Sequence, residues 1–302
     1  MNTIYWLALT FTPGIGSVTA RKLIDRFGDI ESIFAASPEE LASIPRISIA
    51  TAQGLLSTPL EQLEAETLSL NDEGIDVLTW DNDQYPANLY ALKNAPCVMF
   101  VRGAILPDDH RAVGIVGTRQ PSGQSLELAK TLSKELAARG LTVISGLAEG
   151  VDTSAHQGAL TSSKGRTIAV LGSGIRVIHP QSNIQLAEQI VRQGALLSEL
   201  HPNTHPRGPQ LMARDRIISG LSRAVIVVEA GVKSGSLDTA ARAKKQKRPV
   251  YAVPGSSGTD TLLKEDARQI LPELINFDDL AEEILNSPVG NTNSSASQGR
   301  LF

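Results

Sequence analysis

The sequence predicts an α/β protein: a mostly parallel sheet with helices on both faces, preceded by a small all-helical domain. Three observations carry this reading. Between Gly114 and Gly255, apolar runs rich in β-branched residues alternate with stretches of helical period, the pattern of strands joined by crossover helices. Each run is four to six residues long and bounded by Gly, Ser or Pro, which favours strand over buried helix. The runs also end in glycines and hydroxyls, at the carboxyl ends where open α/β sheets hold their ligands.

Taken in order, residues 1–60 read as short helices. Pro13, Gly14, Ile15 and Gly16 separate two helical patterns, with Ala20, Leu23, Ile24 and Phe27 at helical spacing. This is the helix-hairpin-helix form of a SAM-like domain, whose turn offers backbone N–H groups to a phosphate without sequence preference. The same pattern also packs against protein, and the sequence leaves both uses open. A weaker second copy has Pro45 in its turn. Residues 61–105 comprise an acidic helix and one or two short strands joining the core, with Tyr85 and Pro86 pinning the connection by packing. Residues 106–285 form the sheet domain. Residues 286–302 are rich in Ser, Asn and Gly and are expected to be disordered.

Within the sheet domain each strand end has its own chemistry. Gly117 ends the first core strand, Thr118 offers a hydroxyl and Arg119 a guanidinium at the mouth of the next helix, a set suited to one phosphate. Ser145 and Gly146 close the second strand; Gly150 permits close approach, and Asp152 is placed to cap the helix holding His156. His156 and Gly158 are expected to pack that helix on the sheet. Gly172 and Ser173 form the third turn, leading to a helix from near Pro180 to Gly194. Arg214 and Arg216 flank Asp215 at a helix start, either as a phosphate-recognising pair or as solvated surface charges. Lys233, Ser234, Gly235 and Ser236 open another helix as an anion site, and Glu229 reads as a strand-end hydrogen-bond acceptor.

Several function classes are disfavoured. Neither G-x-G-x-x-G nor the P-loop G-x-x-x-x-G-K-[ST] occurs, so no nicotinamide cofactor or P-loop ATP hydrolysis is expected, and no cofactor at all. Glu199, His201 and His205 suggest a metal, but Pro202 and Pro206 break the helix that would align the histidines, so none is expected. The single Cys97 excludes an internal disulfide and reads as a buried small apolar side chain. No 18-residue apolar run exists, and the amino-terminal residues lack a basic lead, so a soluble, cytoplasmic protein without membrane partners is expected.

The net charge of −4 hides an asymmetry. Arg111 to Gly255 holds 19 Lys and Arg against 9 Asp and Glu, while the remainder holds 9 against 23. A basic core between acidic flanks is the footprint of a polyanion site confined to one domain. The cluster Arg242, Lys244, Lys245, Lys247 and Arg248 either contributes to that site or merely solvates a helix.

These motifs together resemble the DNA processing protein A family (DprA, also called Smf): VGTR at 116–119, SGLAEGVDTSAHQGAL at 145–160, VLGSGIRVIHP at 170–180, RDRIISGLS at 214–222, VVEAGVKSGSLDTA at 227–240 and AVPG at 252–255. The resemblance implies an extended Rossmann-like domain and a non-catalytic homodimer. It implies a protein that binds single-stranded DNA, protects incoming DNA and loads the RecA recombinase onto it in natural transformation. The family's phosphate-pocket arginine falls on Arg119, and its pocket turns fall on Ser145 and Gly146, Gly172 and Ser173, and Lys233 to Ser236. The family's usual Arg-Asn-Arg is Arg214-Asp215-Arg216 here, an acid beside the expected DNA path that bears on affinity and base preference. His179 and Pro180 stand where members often have Tyr-Pro, and the C-terminal winged helix of many members has no counterpart in the sequence. Two other classes stay in view: a phosphoribohydrolase-like nucleotide enzyme, whose catalytic Glu has no match after Gly235, and a protein-binding adaptor with weak DNA contact.

Overall fold

The computed structural model describes residues 2–287; of the tail expected to be disordered, residues 288–302 lie outside the described residues. Internal contacts divide the chain into two compact units, Met1–Tyr85 with Lys93–Val101, and Pro86–Leu92 with Arg102–Phe302.

The first unit is built from short capped helices: α1 (Asn2–Phe11), α2 (Ser17–Phe27), α3 (Ile30–Ala35), α4 (Pro38–Ala42), α5 (Ile49–Leu56) and α6 (Leu60–Asp72). Asp29, Ser37 and Ser48 each accept a backbone N–H three residues on, satisfying donors that a helix start leaves orphaned. Ser37 and Glu40 do so reciprocally, as a capping box. Gly14, in the turn before α2, has φ +91°, a conformation strained for residues with a Cβ. Leu9, Leu23, Ile33, Leu41 and Leu55 fill the interior. Strands β1 (Ile75–Thr79) and β2 (Val98–Gly103) are hydrogen-bonded neighbours, the last two residues of β2 belonging to the second unit. The Trp6 indole donates to Asp81 at 2.5 Å and meets Trp80 edge-on. Tyr85 donates to the Pro96 carbonyl at 2.6 Å, and Cys97 is a buried free thiol.

The second unit contains β3 (Ala112–Val116), β4 (Thr142–Ser145), β5 (Arg166–Val170), β6 (Gly194–Ser198), β7 (Ala224–Val227), β8 (Val250–Ala252) and β9 (Arg268–Gln269). They lie in the order β6-β5-β4-β3-β7-β8-β9, and every adjacent pair is parallel. The connecting helices are α7 (Ala87–Tyr90), α8 (Gly123–Ala138), α9 (Val151–Leu160), α10 (Ile184–Gln193), α11 (Gly208–Ala213), α12 (Asp215–Leu221), α13 (Gly235–Lys245), α14 (Ser257–Glu265) and α15 (Phe277–Asn286). None of the described helices is long and apolar enough to cross a membrane. The chain steps outward from β3 through β4, β5 and β6, then returns to place β7 on the other side of β3. That reversal makes the β3/β7 border the topological switch point, where open sheets leave a crevice for ligands. β3, β4, β6 and β7 are buried at every position, which is why they read as continuous apolar runs. Val113, Ile115, Val143 and Ile226 pack against Leu132 and Leu136 of α8, Ala155 and Ala159 of α9, and Leu280 and Ile284 of α15.

Two local expectations are corrected. The helix expected from near Pro180 begins at Ile184, because Gln181–Asn183 tighten into a 3-10 turn. The Asn183 amide there donates to the Leu147 carbonyl and to Thr153. The helix does end at Gly194, which caps α10 and also opens β6, with the Thr167 carbonyl 1.8 Å from where a Cβ would sit. Gly158 packs α9 against α8, not the sheet: a Cβ there would lie 2.1 Å from the Lys130 carbonyl. β9 is too short, at two residues, to leave a periodic signal.

Gly158→Ala therefore sets a methyl group against backbone that cannot turn aside. The expected loss is about 1–3 kcal/mol of stability, a Tm lower by about 2–10 °C. Calorimetry of the parent and variant checks this; an unchanged Tm would show that the two helices are not in contact.

Candidate functional site

The carboxyl ends of β3 and β7, with α11, α12 and the start of α13, enclose a cavity of about 490 Å³. Its first wall follows β3. The Thr118 N–H donates to the Glu229 carbonyl at 2.7 Å, tying the ends of the two strands together. Gly117 is required there, since a Cβ would lie 2.5 Å from Val151 and 2.9 Å from the Glu229 carbonyl. Arg119 then projects, exposed, with no ion pair among the described residues. The opposite wall is the Gly231–Ser236 turn. Ser234 is the N-cap of α13, but its hydroxyl bonds that of Ser236 at 2.7 Å and caps nothing. The first-turn amides of this helix, with the positive end of its dipole, thus follow directly on an exposed Lys233.

The floor differs in character. Asp152, Arg214 and Asp215 line the cavity while only 5%, 6% and 6% exposed. Arg214 Nη1 donates to the Val170 carbonyl at 3.0 Å; Nε donates to the Leu211 carbonyl at 3.0 Å and pairs with Asp215 Oδ1 at 3.0 Å. Gly146 makes this possible, because a Cβ there would fall 1.5 Å from Arg214 Nη1. Asp152 is not the cap of α9, as expected; Gly150, with φ +81°, occupies that position. From the first turn, the Asp152 carboxylate reaches back to accept the N–H groups of Gly146 (3.1 Å) and Ala148 (3.4 Å), pinning the loop after β4.

Burial raises the pKa of both acids, opposed by the Arg214 charge. Asp215 is pushed up to about 7, with Asp152 and Asp238 adding to the rise. On α9, burial and the Arg214 charge depress His156 to about 3. His156 Nδ1 lies 2.7 Å from Thr167 Oγ1, whose own proton goes to the Val143 carbonyl. Nδ1 is therefore the donor, and Nε2 has no hydrogen-bond partner among the described residues.

Of the residues singled out from sequence, the structure brings Gly117, Thr118, Arg119, Arg214, Lys233, Ser234, Gly235 and Ser236 together around the cavity. It places Ser145, Gly146, Gly172, Ser173 and Arg216 outside the lining. Ser145 donates to the Ile115 carbonyl at 2.6 Å, and Ser173 to the Val177 carbonyl at 2.5 Å. Gly172 makes room for Leu211. Arg216 forms a bidentate pair with Glu199 (2.5 and 2.6 Å). Glu229 accepts from Ser122 N–H and Oγ, as its strand-end position suggested. Leu211, Met212 and Ile218 also line the cavity; Leu211 and Met212 come from the short α11 after a proline-rich stretch, without a periodic pattern to mark them.

Much of the basic surplus is neutralised internally. Arg166 pairs with Asp109, Arg139 with Glu135 and Asp278, Arg242 with Asp238, and Lys244 with Glu265 and Asp266. Arg248 does not solvate a helix: it is buried, donating to the Asn88 and Gly220 carbonyls, and burial lowers its pKa to about 10. Arg119 and Lys233 are left at the cavity mouth.

Comparison with known proteins follows the same lines. A family model described as DNA recombination-mediator protein A matches residues 76–284, and one described as SAM-like helix-hairpin-helix tandem matches residues 7–58. The chain is 35% identical over 291 residues to protein Smf of Synechocystis sp., covering 89% of this chain and 70% of that one. It is 39% identical over 218 residues to DNA processing protein DprA of Bacillus subtilis, covering 70% and 73%. The X-ray structure of DprA from Streptococcus pneumoniae matches with a TM-score of 0.77 at 30% identity, covering 89% of this chain and 94% of that one. A structure of Helicobacter pylori DNA processing protein A, described for its single-stranded DNA binding mode, matches with a TM-score of 0.61 at 30% identity over 70% and 96%.

The buried acids and histidine act oppositely on stability. Asp215 has a raised folded pKa, so its contribution is full below the unfolded value of 3.8 and is lost as pH rises through about 7. His156 has a depressed one, so its contribution is present above 6.5 and is lost as pH falls towards about 3. Between about pH 4 and 6.5 the two offset each other. Asp215→Asn removes one side of that balance. Thermal melts of the variant are expected to fall more steeply than the parent's from pH 7 to pH 4.5; parallel curves would show that Asp215 does not titrate in this range.

Proposed function

We propose, from the premise that this chain belongs to the DNA recombination-mediator protein A family, that it is a single-stranded DNA-binding protein. In this reading it protects incoming DNA and loads a RecA-type recombinase onto it in natural transformation. The observation that supports this best is the cavity at the switch point, with Arg119, Lys233 and the uncapped start of α13 at its mouth. Two cations and a set of free amides bind phosphate through charge and hydrogen bonds that carry no sequence information. A recessed cavity of about 490 Å³ suits one nucleotide of a flexible strand better than a duplex, whose bases are stacked and paired. The H. pylori protein described for its single-stranded DNA binding mode supports the same assignment.

The role is proposed to be non-catalytic and cytoplasmic, without a cofactor. The phosphoribohydrolase reading needs a free acid at the start of the helix after the glycine turn; the acid in the first turn, Asp238, is ion-paired with Arg242. We assign DNA binding to residues 106–285 and action as a homodimer to the full protein. Residues 1–60 form the helix-hairpin-helix domain and residues 61–105 the connection.

Fluorescence anisotropy with a labelled thymidine oligonucleotide tests the assignment. Arg119→Ala and Lys233→Ala should each weaken binding and lower the slope of log affinity against log salt by about 0.7, one phosphate contact on a single strand. Arg216→Ala, whose guanidinium is held by Glu199, should change affinity less than about threefold. Undiminished binding by both Arg119→Ala and Lys233→Ala would remove the cavity from the argument.

A further inference from the structure

We propose that Asp215 is a specificity-determining residue of this cavity and that its carboxylate selects guanine among the nucleobases of the bound strand. The inference rests on the reading that the cavity takes single-stranded DNA, and it goes beyond that reading in assigning a base preference and the residue that causes it.

Asp152 Oδ2 accepts two backbone N–H groups, and the Nε and Nη1 of Arg214 donate to carbonyls. On Asp215, Oδ1 faces Arg214 Nε, while Oδ2 accepts no hydrogen bond among the described residues. Oδ2 is also not among the buried polar atoms sealed without a partner, and Asp215 lines the cavity. An ionised carboxylate only accepts, and each oxygen can take more than one donor. Leu211 and Ile218 supply apolar walls beside it, suited to the faces of a planar ring. With a phosphate held at the mouth by Arg119 and Lys233, a base turned inward presents its edge to Asp215.

The edges of the four bases differ in what they bring to an acceptor pair. Guanine carries N1–H and the 2-amino group side by side, two parallel donors that a carboxylate can take, one on Oδ2 and one on a second lone pair of Oδ1 beside Arg214 Nε. Thymine has one N–H between two carbonyls that a carboxylate repels. Adenine and cytosine each set an amino group beside a ring-nitrogen acceptor, so one contact is attractive and the other repulsive. Guanine alone makes both contacts favourable.

The preference depends on ionisation. The charged groups acting on Asp215 are Arg214, Asp152 from α9, and Asp238 and Arg242 from α13, with Arg119 and Lys233 across the cavity. Their balance, dominated by burial, leaves the carboxyl titrating near neutrality at about 7. Above that value it is acceptor-only and reads guanine; below it, the carboxylic acid donates as well as accepts and the discrimination fades.

The test uses the full chain and a set of thymidine oligonucleotides carrying guanosine, inosine or no substitution at spaced positions, measured by anisotropy at pH 6 and pH 8. Inosine lacks the 2-amino group and so removes one donor without changing the protein. Wild type at pH 8 is expected to bind the guanosine strand about tenfold more tightly than the all-thymidine strand, the range of one bidentate contact. The inosine strand should fall between them, and the guanosine preference should shrink to about threefold or less at pH 6. Asp215→Asn, similar in shape, should show no more than about threefold preference at either pH. Equal affinity of wild type for guanosine and thymidine strands at pH 8, with binding still lost in Arg119→Ala, would overturn the base assignment and leave DNA binding standing. A guanosine preference that persists in Asp215→Asn would overturn the role of this residue. Failure of wild type to bind any strand, or binding indifferent to Arg119→Ala, would overturn the DNA reading itself.

Discussion

The buried guanidinium of Arg214 is the contact around which the functional end of the sheet is arranged. A charge withdrawn from water is tolerated only where acceptors and counter-charges surround it. Here these come from the end of β5 through the Val170 carbonyl, from α11 through the Leu211 carbonyl, from Asp215 at the start of α12, and from the field of Asp152 on α9. The empty position at Gly146 supplies the space. Removing one member leaves the others as uncompensated buried charge, which is far more destabilising than the net worth of the set. The consequence is a fixed floor under the switch-point cavity. Asp152 contributes twice, once to Arg214 and once by holding the Gly146 and Ala148 amides.

Above that floor the electrostatics are reversed. Two buried acids share one buried arginine, while Arg119 and Lys233 stand exposed at the mouth beside the uncapped start of α13. A phosphate is attracted to the rim and repelled from the interior. In the proposed reading, a strand bound here keeps its backbone outside and turns a base, the neutral part of the nucleotide, inward. The rim and the interior differ by burial: Arg119 and Lys233 are exposed at the mouth, whereas Arg214 is matched within the protein by Asp215 and two carbonyls.

The same distinction explains why net charge was a coarse guide. The basic excess between Arg111 and Gly255 points to the correct part of the chain, yet many of those side chains act inside the fold. Arg166 joins Asp109, Arg216 joins Glu199, and Arg248 holds the Asn88 and Gly220 carbonyls. The proposed DNA binding therefore rests on a few well-placed cations and on backbone amides rather than on a general field.

From the sequence alone one could read the parallel sheet, the helical domain before it, and the walls of the cavity around Gly117, Thr118, Arg119 and Lys233 to Ser236. Those features are local: strand runs, glycine turns and helix starts are written in consecutive residues. What only the tertiary structure decided was which charges and hydroxyls face the cavity. Ser145 ends one buried strand and Arg119 follows another, but Ser145 is turned towards the neighbouring Ile115 carbonyl. Arg214 and Arg216 are two residues apart, yet one lies in the floor and the other is held by Glu199. Their partners are 44 and 17 residues away. Hydrogen bonds and ion pairs depend on distance in space, and the chain order of residues does not encode that distance until the sheet has closed around them.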